Sequence, residues 1–331
     1  MLKNRIFSIA SEAEFNETAI AVFQFQYEHN NVYREFCDLL KIEKSKIQEI
    51  AQIPFLPIQF FKSHKVTASP EKPEQIFTSS GTTGISSKHF VTDLSLYEQS
   101  FRESFEQFYG KIEDFVVLAL LPSYLERSGS SLIYMVDEFI EQSKHPESGF
   151  YLNNLSELAK TLKKLDSAAC PSGRRRKKIL LIGVSFALLE LVEKFQFRLK
   201  NTIVMETGGM KGRRKELVRE ELHEILTNGF GIEKIHSEYG MTELLSQAYS
   251  QGNGIFKCPK HLKVLIRDPE DPLTLMPDGK NGGINVIDLA NLNSCAFIAT
   301  QDLGKKHKNG TFEVLGRFDN SDIRGCNLLV L

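Results

Sequence analysis

Apolar positions follow two rhythms along this chain, and the change between them marks its organisation. In the N-terminal part the spacing is helical. Phe15, Ala19, Val22, Phe23, Gln26 and Tyr27 follow Ser11-x-x-Glu14, so a helix over 12–29 is predicted, opened by a capping box. A second helix is expected over 31–40. Ile53 to Lys62 is apolar but carries Pro54 and Pro57, which remove donors and fix the backbone, so an extended segment packed on the core is expected. Leu94, Leu96, Tyr97, Phe101, Phe105 and Phe108 form a helical stripe over 93–108, of the kind that faces a core.

From Phe115 the rhythm changes. Phe115 to Leu121 is continuously apolar, as in a strand buried on both faces of a parallel sheet. A helix from Gly129-Ser130-Ser131 to about residue 142 and another over 155–165 follow. Then come a strand at 179–182, a helix through about 195, a strand at 202–206 and a charged helix over 213–227. Strand and helix alternate across 115–227, the signature of an open parallel sheet with helices on its faces. Ligands in such sheets sit at the carboxyl ends of strands, where the loops 122–131 and 207–212 fall. Beyond Tyr239-Gly-Met-Thr-Glu243 short β-like runs appear at 262–266, 284–288, 296–300 and 311–315. The expected division is an α/β core over 1–245, a β-rich subdomain over 246–315 and a hinge-like segment over 316–331.

Composition narrows the class. With 331 residues, 41% hydrophobic and 25% charged, the chain has the make-up of an ordinary soluble protein with a large core. A net charge of −1 supplies no global attraction to nucleic acid or anionic lipid. No apolar run approaches the roughly 20 residues of a membrane helix. The five cysteines, at 37, 170, 258, 295 and 326, are scattered without Cys-x-x-Cys spacing, which argues against a disulfide framework or a zinc site. A cytoplasmic protein with reduced thiols and no nucleic-acid or membrane partner is expected. The basic run Gly173 to Lys178 reads as a solvated loop, with docking of an acidic partner the lesser reading.

The candidate chemistry begins at Thr78-Ser79-Ser80-Gly81-Thr82-Thr83-Gly84, with Lys88 beyond it. Glycines let the backbone approach a ligand, successive N–H groups converge on an anion, and Lys88 adds a mobile positive charge. This is chemistry for a pyrophosphate or triphosphate. It is not a Walker A loop, whose lysine directly follows the second glycine. Taken alone it is also compatible with a Ser/Gly-rich surface turn.

Three further features follow in order: Tyr239-Gly-Met-Thr-Glu243, Gln301-Asp-Leu-Gly304 and Gly316-Arg-Phe-Asp-Asn-Ser-Asp-Ile-Arg-Gly325. Together with the loop they resemble the adenylate-forming superfamily of acyl-CoA synthetases, luciferases and peptide-synthetase adenylation domains. Within it, the segments PFLPIQFFKSHKV, LPSYLERSGSSLIYM and TGGMKGRRKEL are most similar to the LuxE-type acyl-protein synthetases. The resemblance runs from about residue 50 to the end. It implies the α/β fold of that superfamily's large N-terminal domain, with mostly parallel open sheets, flanking helices and a small β-rich subdomain.

The resemblance also implies roles. Thr78 to Gly84 and Lys88 would hold the β- and γ-phosphates of ATP, and Gly208 and Gly209 would lie against the adenine. Tyr239 would border the nucleotide, Thr242 would reach the α-phosphate and Glu243 would hold Mg²⁺. Asp302 would accept from the ribose hydroxyls, with Arg317 beside ribose or phosphate. Tyr124 falls near the acyl-carboxylate position, and Gly183 and Ser185 are taken as substrate-side residues. Without the resemblance, Glu243 also reads as an acid at a helix N-terminus and Asp302 as a turn former.

The resemblance, which ends with the hinge-like segment, leads to the expectation that the superfamily's mobile, lysine-bearing C-terminal domain is absent. LuxE-type proteins use a cysteine near the C-terminus as acyl acceptor, and Cys326, with Arg324 nearby to favour its thiolate, matches that position. On composition alone it would be a small apolar residue in a terminal strand. The expected function is ATP-dependent activation of a fatty acid to acyl-AMP and transfer to a protein thiol, feeding an acyl reductase partner. The alternatives are a phenylacetate-type ligase acting on CoA or a carrier protein, and an adenylate-binding protein without turnover.

Overall fold

The computed structural model describes residues 2–79, 85–122, 129–167, 177–208 and 217–318. The chain begins with α1 (Leu2–Phe7), α2 (Glu12–His29), α3 (Asn31–Leu39), β1 (Leu56–Pro57) and α4 (Phe60–Ser63). It continues through β2 (Gln75–Thr78), β3 (Lys88–Val91), α5 (Leu94–Tyr109), β4 (Phe115–Leu120), α6 (Ser131–Ser143), β5 (Gly149–Phe150) and α7 (Leu155–Ser167). Next come β6 (Lys178–Gly183), α8 (Ser185–Lys194), β7 (Thr202–Thr207), α9 (Arg219–Phe230), β8 (His236–Tyr239), β9 (Ala248–Ser250) and β10 (Ile255–Lys257). The last strands are β11 (Leu262–Arg267), β12 (Asn281–Asp288), β13 (Phe297–Lys306) and β14 (Phe312–Arg317). Among the described residues, no helix is long and apolar enough to cross a membrane.

Contacts divide the chain into a unit of residues 71–259 and a unit of residues 1–70 with 260–331. This runs differently from the sequence boundaries at 245 and 315, because the N-terminal helices pack with the C-terminal strands.

In the 71–259 unit the strands lie in the order β5-β4-β6-β7-β8-β9-β10. The pairings from β5 to β8 are parallel, and β9 and β10 extend the sheet antiparallel. Alternation along β4 sends Val116, Leu118 and Leu120 into one core with Leu158, Leu188 and Leu226 of α7, α8 and α9. Phe115 takes the other face, 5.4 Å from Phe105 of α5, whose ring packs at a tilt 5.0 Å from Phe139 of α6. Both faces are therefore covered by helices, and β4 is buried throughout, as its continuous apolar run demands.

One expectation is corrected here. The charged helix begins at Arg219 rather than at 213, with Val218 extended at its N-cap and Glu220 and Glu221 in its first turn, where acids suit the helix dipole. The short strands β8 to β10 carry no clear sequence signal, since their three or four residues are partly polar and show little pattern.

In the other unit β11-β12-β13-β14 form an antiparallel sheet. The first half of β13 also pairs with β1, Leu56 against Ile298, and its second half pairs with β14. Ser11 caps α2, accepting from the Glu14 N–H at 3.2 Å, while the Glu14 carboxylate takes the Ala10 N–H at 2.7 Å. The buried face of α2 carries Phe23, 6.3 Å from the ring of Phe297, which also meets Tyr33 and Phe55. Gln26 donates to the carbonyls of Asn291 and Leu292 and accepts from the Ala296 N–H, and Asn30 donates to Ser294. These bonds satisfy a buried loop that would otherwise strand its polar groups. The proline-bearing segment after α3 departs from the expected extended form only at its end, where Phe60–Ser63 makes one helical turn beyond Pro57.

Candidate active site

Parallel registry sets the first part of the site. Leu120 pairs with Gly183, Gly183 with Glu206 and Thr207 with Glu238, so the carboxyl ends of β4, β6, β7 and β8 form one row. A Cβ at Gly183 would lie 2.9 Å from Leu120 Cβ and 3.1 Å from Leu188 Cδ2, so close packing of β4 and α8 requires glycine there. Ser185, buried at the start of α8, donates to Glu206 Oε2 at 3.2 Å and to the Gly208 carbonyl at 3.3 Å. Gly208 has φ +60, a conformation open to glycine, so the chain turns sharply as it leaves β7. Ser185 and Gly208, taken from sequence as substrate and nucleotide residues, are thus brought together through Glu206.

Glu206 itself was not singled out in the sequence, although a carboxylate ending an apolar strand is a signal. Burial works to raise its pKa, but His223, 3.6 Å away, and Arg219 hold it below the ordinary value. Glu238 lies on the other face by strand alternation, opposite Tyr249 of β9, and accepts from the Thr207 hydroxyl at 2.7 Å. Part of the residue reaches solvent, yet its carboxyl lies within the protein, where burial pushes it up to about 7. The sign follows directly. Between an unfolded value near 4.5 and about 7 the folded form holds a proton that the unfolded chain has lost, so stability falls as pH rises. Chemical denaturation from about pH 5 to about pH 8 is expected to show Glu238→Gln gaining about 2–3 kcal/mol relative to the parent protein. Parallel stability profiles would contradict this.

The Thr78–Gly84 motif starts at the end of β2, and Lys88 opens β3. β2 and β3 are antiparallel, with Thr78 opposite Lys88. Ser79 closes the base of the loop: its N–H donates to the Ser87 carbonyl at 3.2 Å and its Oγ accepts from the Ser87 N–H at 2.9 Å. The Thr78 N–H donates to the Gly129 carbonyl at 2.7 Å, which ties the hairpin to the segment leading into α6. Lys88 is exposed, and alternation drives its neighbour His89 fully inside. There His89 Nδ1 lies 2.9 Å from the Thr242 carbonyl. Burial lowers the ring to about 4, so it is neutral at physiological pH and Nδ1–H is the donor. Sequence reading missed His89, whose only signal is its place one residue inward of Lys88.

The turn 240–243 leaves β8 beside these groups, with the Leu244 N–H donating to the Met241 carbonyl at 3.1 Å. Glu243 is 6% exposed, and the Tyr239 ring stands 6.0 Å from Phe256. No group of three or more His, Cys, Asp or Glu among the described residues forms a metal cage.

In the 1–70 and 260–331 unit, Asp302 and Arg317 are register partners on β13 and β14. Arg317 Nε donates to Asp302 Oδ1 at 3.1 Å, and the Asp302 N–H donates to Thr300 Oγ1 at 3.1 Å. The Arg317 side chain is 67% exposed against 11% for Asp302, so the aspartate is the fixed member of the pair. Buried Arg267 donates to the Ile284 carbonyl, to Asn285 Oδ1 and to the carbonyl of Thr300, two residues before Asp302 on β13. Ser80, Gly81, Thr82, Thr83, Gly84, Tyr124, Gly209 and Cys326 lie outside the described residues.

The sequence profile described as "Acyl-protein synthetase, LuxE" matches residues 7–108 and 134–331. The chain belongs to this family. It is thereby a ligase of the acyl-protein synthetase class. Among curated LuxE relatives, the long-chain-fatty-acid–luciferin-component ligase of Aliivibrio fischeri is 24% identical, the match covering 99% of this chain and 91% of the relative. That of Vibrio harveyi is also 24% identical, over 92% and 84%. Among solved structures, 2-hydroxyisobutyryl-CoA ligase with 2-HIB-AMP and CoA superposes with a TM-score of 0.65 at 15% identity, covering 94% of this chain and 70% of its own. ATP-bound MatB from Rhodopseudomonas palustris gives 0.53 at 17% identity over 73% of this chain, which spans about half of MatB, 47%. At these identities the structural likeness establishes the fold shared with those ligases, and the LuxE match establishes the family.

Proposed function

We propose that this protein activates a long-chain fatty acid with ATP and transfers the acyl group to the thiol of Cys326. A carboxylate oxygen of the acid attacks the α-phosphorus, the bond to pyrophosphate breaks, and acyl-AMP forms. The Cys326 thiolate then attacks the acyl carbon, AMP leaves with the former carboxylate oxygen, and a thioester remains for delivery to an acyl reductase. The observation that carries this reading is the convergence of the β2–β3 hairpin, Gly208 and the turn 240–243 at the carboxyl edge of one parallel sheet, in a LuxE family member.

In this reading Thr78, Ser79, the loop through Gly84 and Lys88 hold the outer phosphates, and the backbone at Gly208 and Gly209 lies against the base. Tyr239 borders the nucleotide and Thr242 donates to the α-phosphate. The Asp302 carboxylate has acceptor capacity beyond Arg317 for a vicinal diol. Tyr124, Gly183 and Ser185 lie on the acyl side. A single buried carboxylate, Glu243, fits Mg²⁺ that travels with ATP, since that ion usually takes one or two carboxylates along with substrate phosphates and water. When bound it neutralises phosphate charge. A reactive thiol acceptor also suits the reducing cytoplasm. Fatty acid labelled with heavy oxygen in its carboxyl group, incubated with ATP and the protein, is expected to yield labelled AMP.

A further inference from the structure

The buried histidine beside the β2–β3 hairpin belongs to no motif of the site, yet it hydrogen-bonds to the turn that carries Thr242 and Glu243. We infer that His89 is a positioning residue for adenylation: its Nδ1–H bond to the Thr242 carbonyl holds the Thr242–Glu243 peptide in register with the hairpin that bears Lys88. The inference rests on the adenylation reading and deepens it.

Three observations converge. Lys88 and His89 are consecutive on β3, so the strand that presents the lysine outward places the imidazole inside. The His89 ring is fully buried, and the Thr242 carbonyl lies 2.9 Å from Nδ1. A carbonyl cannot donate, so this contact specifies the Nδ1–H tautomer. That carbonyl belongs to the peptide joining Thr242 to Glu243. Fixing its plane places the Glu243 N and Cα, from which that side chain departs, because the six peptide atoms from Thr242 Cα to Glu243 Cα are coplanar. The hairpin is anchored separately through the Thr78 N–H to the Gly129 carbonyl, and the histidine ties it to the turn after β8. Such orienting partners of a ligand typically change metal affinity or activity by about 10–100-fold.

The test compares His89→Phe, which fills the space without a donor, and His89→Asn, whose amide N–H restores a donor. Fatty-acid-dependent ATP–pyrophosphate exchange and thermal unfolding are measured for each. His89→Phe is expected to lower kcat by about 10–100-fold with the fatty-acid KM within about twofold, and His89→Asn to recover about tenfold of that loss. Exchange by His89→Phe at the parent rate would overturn the inference. So would losses in both variants that simply follow their melting temperatures. A parent protein that fails to exchange at all overturns the adenylation reading instead. In that event, calorimetric titration with a non-hydrolysable ATP analogue, with and without Mg²⁺, decides His89. The gain in affinity from Mg²⁺ is expected to shrink about tenfold or more in His89→Phe, and an unchanged gain refutes the role.

Discussion

Replacing Cys326 with serine is expected to abolish covalent labelling of the protein by radioactive fatty acid and ATP, while pyrophosphate exchange stays within a few-fold of the parent. Adenylation needs only the carboxylate and ATP, whereas capture of the acyl group needs a nucleophile. Serine is a poor replacement, since a thiol supplies some thiolate at neutral pH and a hydroxyl requires a general base. Among the described residues the alternatives are three, and Cys170, outside them, is tested by its own serine variant. Cys37 and Cys295 are buried, and burial pushes the first thiol up to about 12 and the second higher still. Neither is accessible or ionised enough to attack an adenylate. Cys258 is partly exposed, so Cys258→Ser is the control and should label normally. Labelling that survives Cys326→Ser places the acceptor elsewhere, and label found only on added CoA makes the protein a CoA ligase.

Glu243→Gln is expected to reduce exchange by about 100-fold or more, with the loss only partly relieved at high Mg²⁺. Glutamine matches glutamate in size, so the turn after β8 and the His89–Thr242 bond should persist. Stability is expected to change by no more than about 1 kcal/mol, as for a substitution that opens no cavity. What disappears is the charge. A neutral amide is a weak ligand for a hard dication, and losing one preorganised charged group at a reacting phosphate costs on the order of 100–1,000-fold. The group is buried at 6% exposure, so solvent does not substitute for it. Exchange within about fivefold of the parent would remove Glu243 from the metal role.

Much of the fold could be read from local pattern. The continuous run at Phe115 to Leu121, the capping box at Ser11 and Glu14 and the Phe101–Phe105 stripe each encode their element within a few residues, and each element forms where expected. The residues that bind distant segments were not legible. Gln26 lies in the last turn of α2 and Asn30 caps the junction with α3, and only the tertiary structure brings the loop near Asn291 to them, more than 260 positions away. The same holds for His89 and Thr242, 153 positions apart. Glu206 and Glu238 show in the sequence as two acids near glycine-rich motifs. Their different electrostatics come from opposite faces of adjacent strands: Glu206 has His223 and Arg219 beside it, whereas Glu238 has Thr207 and Tyr249. Motifs mark what meets the ligand, but the groups that orient those motifs need three dimensions.

The central claim is that the fatty carboxylate attacks the α-phosphorus of ATP, and isotope transfer tests it most directly. Fatty acid carrying heavy oxygen in both carboxyl positions is mixed with ATP and the protein, and the phosphate-containing products are analysed by mass spectrometry. Attack at the α-phosphorus followed by thiol capture leaves one labelled oxygen in AMP and none in pyrophosphate. Label in orthophosphate, or AMP formed without label, would contradict the account.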